Sequence, residues 1–114
     1  MRLTRRVSWI KAAQKDFLHF PAPVREYMAT VLTIIAEGQS ADSLKPLKGL
    51  GANVYEISRR HQTDAYRVVY ALKLGDDIWV LHAFKKKSRS GIKTPREDIE
   101  LIKNRIKLLK EQLQ

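Results

Sequence analysis

Between residues 54 and 87 the chain alternates apolar and polar side chains in three runs, joined only by HQTD and GDD. Parallel strands need a crossover of a dozen or more residues, so connections this short leave an antiparallel meander as the only arrangement for three strands. In NVYEISRR, Tyr55, Ile57 and Arg59 alternate against Val54, Glu56 and Arg60. In AYRVVYALKL, Tyr66, Val68, Tyr70, Leu72 and Leu74 share one face, and Arg67 lies on the other beside Val69 and Ala71. DIWVLHAFK completes the set with β-branched and aromatic residues, the types that suit a pleated surface.

The flanks read as helices and one further strand. RRVSWI places Val7 and Trp9 at period two, and a helix is expected over 12–19. Pro21 and Pro23 punctuate the chain, and Pro23 suits the first turn of a second helix, where the missing N–H costs nothing. There Val24, Met28, Val31, Leu32 and Ile35 recur at helical spacing, with Gly38 just past the end as a cap. The segment around Pro46, Gly49 and Gly51 reads as a loop. At the other end, Thr94 and Glu97 have capping-box spacing, Pro95 takes the first helical position, and Ile99, Ile102, Ile106, Leu109 and Leu113 form the apolar stripe. The expected order is strand, two helices, three strands, helix: an α+β fold with an antiparallel sheet. No repeat or linker divides residues 1–114, so a single domain is expected.

Charge narrows the partners. Lys and Arg number 22 against 12 Asp and Glu, a net +10, and 44% hydrophobic residues are enough for a core. Residues 85–114 carry ten of the basic side chains against four acidic ones, which favours a polyanionic partner whose counterions are released on binding. No cysteine occurs, excluding disulfides and thiolate chemistry. Apolar runs fall far short of the roughly 20 residues that cross a bilayer, and the basic N-terminal segment lacks the apolar core of a secretory signal. A soluble cytoplasmic domain without membrane partners is the expectation.

The chemistry-bearing residues are few. His19, His61 and His82 are scattered over different elements, and HExxH, P-loop and GxGxxG patterns are missing. No serine has convincing histidine and carboxylate partners. Arg59, Arg60 and Arg67 fall on adjacent strands, and the last strand ends in His82, Phe84 and Lys85, Lys86 and Lys87. Converging cations repel unless an anion lies between them, and a phosphate would serve, held by the fixed fork of an arginine. Arg67 can equally pair with a carboxylate such as Glu56, and His82 can equally be a satisfied sheet histidine beside Phe84.

The stretch LKGLGANVYEISRRHQTDAYRVVYALKLGDDIWVLHAFKKKSRSGIKTPREDIELIKNRI resembles the RelE/ParE toxin superfamily of type II toxin–antitoxin systems, in its phage-derived HigB-like branch. The marks are GLGANVYEI, the YRVVY strand, the VLHAFKKKS strand end and the TP-initiated terminal helix, spanning roughly residues 44–107. The resemblance implies a compact, microbial-ribonuclease-like fold and a metal-independent endoribonuclease that needs no cofactor and cleaves mRNA on the ribosome. It also implies a cognate antitoxin, typically a small helix-turn-helix protein. Carried over by position, Arg67 matches the arginine of the family's YR motif, Arg59 or Arg60 its sheet arginine, and Lys85 to Lys87 its basic strand end. His82 is the candidate acid or base, because an unperturbed imidazole titrates near neutrality. The resulting catalytic set is His82, Arg67, Lys86, Lys85 and Arg60, with Lys48, Arg59, Lys87 and Arg89 contacting RNA. Where some relatives carry a tyrosine past the final strand, this chain has Arg89, Ser90, Gly91 and Ile92. The alternative is a ParE-like DNA gyrase inhibitor without nuclease chemistry, since a shared fold does not decide between them.

Overall fold

The computed structural model describes residues 4–41, 44–87 and 93–113. Eight elements follow one another: β1 (Val7–Trp9), α1 (Lys11–Phe17), α2 (Ala22–Ala36), β2 (Leu44–Leu47), β3 (Val54–His61), β4 (Asp64–Leu74), β5 (Asp77–Lys87) and α3 (Arg96–Gln112). The strands form one sheet in the order β1-β5-β4-β3-β2. The meander of β3, β4 and β5 is antiparallel, as the short turns require.

Two features of the sheet correct the sequence reading. β1 runs parallel to β5, pairing Val7 with Ile78 and Trp9 with Val80, so the sheet is mixed. The expected loop contains β2, antiparallel to β3, with Lys45 opposite Glu56. Pro46 cannot donate to a ladder, which is tolerable because β2 is the edge strand.

α1 and α2 cover one face and α3 covers the other. On the first face Ile57, Val68, Tyr70, Ile78 and Val80 pack with Phe17, Phe20, Val24 and Met28. On the second, Val54, Val69, Ala71 and Leu81 pack with Ile102, Ile106 and Leu109. Burial on both faces explains why the middle of β4 reads as a nearly unbroken apolar run.

Local irregularities aim individual residues. In β5 the pairing passes from Tyr70–Val80 to Val69–His82, leaving Leu81 as an extra residue, so the strand bulges and both Leu81 and His82 are presented to α3. A second register shift after Ala71 carries Leu74 into the α3-side core, away from the face its alternation predicted. α2 ends as expected: Gly38, at φ +83°, donates to Ile35 while Gln39 donates to Ile34, closing a Schellman turn. α3 does not start as expected. Pro95 occupies the N-cap position with no side-chain cap, and the Thr94 hydroxyl donates to Glu56 instead, so the capping box does not form. Leu113 leaves the predicted stripe and is 45% exposed. Among the described residues no helix is long and apolar enough to cross a membrane.

Candidate active site

Strand register brings Glu56 and Arg67 together. β3 and β4 pair Ser58 with Arg67 and Glu56 with Val69, which makes the two charged residues diagonal neighbours on the α3 face. Arg67 Nη1 lies 3.2 Å from Glu56 Oε1, with the side chains only 4% and 2% exposed. Thr94 Oγ1 donates to the other carboxylate oxygen at 2.9 Å. Of the two partners open to Arg67 from sequence, the carboxylate is therefore in place. Such a pair must be well hydrogen-bonded, because each buried charge loses its hydration.

Two lysines enlarge this cluster. Lys86, paired with Ala65 two positions beyond Phe84, reaches over the same face and donates to the Lys93 carbonyl. Desolvation lowers its pKa below the ordinary lysine value, and the charges of Arg67 and Lys45 lower it further against the pull of Glu56. Lys45 comes from β2, directly opposite Glu56. Three cations thus share one buried carboxylate, and the ammonium of Lys86 is pushed toward readier proton exchange.

His82 forms the second part of the site. Its Nε2 lies 2.7 Å from Asp98 Oδ1, and Arg105 Nη1 lies 2.7 Å from the Leu81 carbonyl and 3.5 Å from His82 Nδ1. A guanidinium only donates, so Nδ1 accepts and the ring proton sits on Nε2, donating to Asp98. Burial lowers the pKa of His82; the bond to Asp98 opposes that shift and the charge of Arg105 adds to it. The ring is therefore neutral at pH 7, oriented by a carboxylate and stacked on Phe84 with centroids 4.6 Å apart. Among the described residues Nδ1 meets only the long Arg105 contact, which leaves it as the atom for proton exchange.

Not every expected residue arrives here. Arg60 shares the α3 face with Glu56 and stands exposed at its rim. Arg59 is sent to the opposite face by strand alternation, its guanidinium 4.5 Å above the Tyr27 ring, so the three arginines do not converge as expected. Lys85 likewise faces away from Lys86; it pairs with Tyr66 in the ladder and lies 3.8 Å from Asp64. Lys48 follows β2 near Val54, six residues along β3 from Arg60, or roughly 20 Å at strand rise. The lysine that register places at the site is Lys45, and only recognition of residues 44–47 as a strand would have found it. The Lys87 side chain and Arg89 lie outside the described residues. Asp98 and Arg105, which orient His82, were also missed, because their spacing along α3 says nothing about which strand residue they meet. Among the described residues no group of three or more His, Asp or Glu is placed to hold a metal ion.

Residues 15–107 match the family described as Phage derived protein Gp49-like (DUF891). The chain belongs to this family. No curated protein matches this Gp49-like chain. Among solved structures it is similar to an arginine double mutant of the E. coli toxin RelE in the free state, with TM-score 0.67 and 20% identity over 90% of this chain and 98% of that one. It is also similar to the isolated E. coli RelE toxin, with TM-score 0.57 and 21% identity over 88% and 97% of the two chains. The Gp49-like chain thus has the RelE fold that its motifs resembled, in the phage-derived branch.

Proposed function

We propose that this Gp49-like protein is the toxin of a type II toxin–antitoxin pair, a metal-independent endoribonuclease that cuts mRNA on the ribosome in the cytoplasm. The observation that carries the reading is the cluster of Lys45, Arg67 and Lys86 around Glu56, beside a carboxylate-oriented His82, on one sheet face. RNA cleavage without a metal uses the substrate's own 2′-hydroxyl. Its oxygen attacks the neighbouring phosphorus, the bond to the 5′-oxygen breaks, and a cyclic phosphate and a free 5′-hydroxyl remain. A base must take the 2′ proton, an acid must protonate the leaving oxygen, and cations must stabilise the extra charge on phosphorus. Lys86, with its lowered pKa, and His82, through Nδ1, are the proton-transfer groups. Lys45 stabilises the phosphorane, Arg67 adds its positive charge from beneath while held by Glu56, and Arg60 at the rim holds an adjacent phosphate. Lys85, Lys48, Arg59, Lys87 and Arg89 are left for the remainder of the message or for ribosomal RNA. The antitoxin presents an acidic segment to the +10 surface.

Brief induction in a bacterial host, followed by mapping of mRNA 5′ ends with and without translation, tests this reading. New in-frame ends that vanish when the message is untranslated, and that are lost with Lys86→Ala in a folded protein, are the expected result. Growth arrest with intact messages and broken DNA would move the target to gyrase. Harmless overexpression would leave a basic binding domain.

A further inference from the structure

β1 pairs only with Ile78–Val80, so from Leu81 onward the outer edge of β5 has no strand beside it among the described residues. The chain turns at Ile10 into α1, and the end of that helix and the turn after it stand across from His82–Lys85. Between them lies a cleft of about 340 Å³, within the roughly 300–1,000 Å³ of small-ligand sites. It straddles the strand edge and adjoins the candidate active site, since His82 lines it and Phe84 on its wall is the cross-strand partner of Arg67.

Its lining combines aromatic surface with hydrogen-bonding tips. Phe20 meets Tyr66 edge-on at 4.9 Å, and Phe84, stacked on His82, contributes another ring. Asp16, His19 and Lys85 supply the polar wall. Asp16 is the unusual member. It is an exposed carboxylate in the last turn of α1, the end where the helix dipole disfavours negative charge, and it makes no hydrogen bond or ion pair with any described residue. Helix stability does not account for it; its charge acts at longer range on His82 and Arg105, leaving its oxygens free to accept from a ligand.

We propose that this cleft is a subsite for a single unstacked nucleobase bearing an exocyclic amine, in a single-stranded RNA. The ring packs on Phe20, Tyr66 and Phe84, and the amine donates to the Asp16 carboxylate, which only accepts. A carboxylate repels phosphate and carbonyl oxygens alike, so it selects cytosine over uracil, whose one ring N–H lies between two carbonyls. Lys85 and Lys86 point to opposite faces of β5, so an RNA crossing the strand end meets one lysine on each side, with its base in the cleft and the next phosphate toward Lys86. This placement rests on the ribonuclease reading; occupancy of the cleft by a nucleotide does not.

The test titrates the folded protein with CMP and with UMP and follows amide and aromatic resonances. CMP is expected to shift signals of Asp16, His19, Phe20, Tyr66 and Phe84 and to bind at least about fivefold tighter than UMP. Asp16→Asn, at an exposed position that leaves the fold intact, is expected to erase the preference, because an amide both donates and accepts. Absence of shifts at millimolar CMP, equal affinity for the two nucleotides, or a preference that survives Asp16→Asn would each overturn the proposal. So would shifts confined to Thr94 and Lys86. Cytosine-selective binding without mRNA cleavage in cells would retain the subsite and remove the nuclease, whereas cleavage without nucleotide selectivity would do the reverse.

Discussion

At the residue scale the site is built on two buried polar pairs, and they respond differently to substitution. Glu56→Leu alone strands the Arg67 cation in the interior and is expected to cost about 3–5 kcal/mol, whereas Glu56→Leu with Arg67→Met is expected to recover most of that loss in urea unfolding. His82 governs acid sensitivity. In the unfolded chain its pKa is the ordinary 6.5, and in the fold it is lower, chiefly through burial. Below pH 6.5 the unfolded state takes up the proton first, so stability falls as pH drops from there toward the folded value. Denaturation at pH 7 and pH 5 is expected to show a smaller loss for His82→Gln than for the parent chain. The chemistry of these residues was legible in sequence, and their partners were not. Arg67 had two open partners until register set Glu56 diagonally beside it, and Asp98 could not be matched to His82 without knowing that Leu81 bulges.

At the element scale, alternation and turn length located β3, β4 and β5, and helical spacing located α2 and α3. β2 escaped because LKPL is short, contains proline and buries only part of its surface. The start of α3 was misread for a related reason: the hydroxyl of Thr94 finds its acceptor on a strand 38 residues earlier, so tertiary contact overrides the local cap. Thr94→Asp separates the two readings. A cap would welcome aspartate, but here it places a second carboxylate against Glu56, and a lowered urea midpoint with unchanged native helicity is expected. Gly38→Ala tests the end of α2. Space is open around the position, so the penalty is the left-handed backbone alone, about 1–2 kcal/mol by the same assay.

At the scale of the whole molecule, the +10 charge sets how binding depends on salt. Single-stranded RNA that neutralises three side chains would lose about 20-fold in affinity between 50 and 200 mM salt, and Lys86→Ala would lower the log–log slope by roughly 0.7. Fluorescence anisotropy with a labelled oligonucleotide reads both quantities, and a salt-independent affinity would contradict a phosphate-tracking surface. Charge distribution was visible in sequence because it needs only counting. Alternation alone puts Arg59 on the face opposite Arg60, and Lys85 on the face opposite Lys86. Which of these cations meet across strands was not legible, since that depends on which strands flank which and in what register.

The parallel pairing of β1 with β5 also bears on how the chain is made. Arg5 donates to the carbonyls of Leu72, Asp76 and Asp77, and it precedes Asp76 by 71 positions. At synthesis rates of roughly 5–20 residues per second, the first strand is translated about 4–14 s before its partner. Throughout that interval Val7 and Trp9 have no sheet to join, and α1 and α2 have no strand surface to cover. The site on β4 and β5 is consequently assembled only once β5 has been made, and a nascent chain halted before residue 77 carries neither His82 nor Lys86.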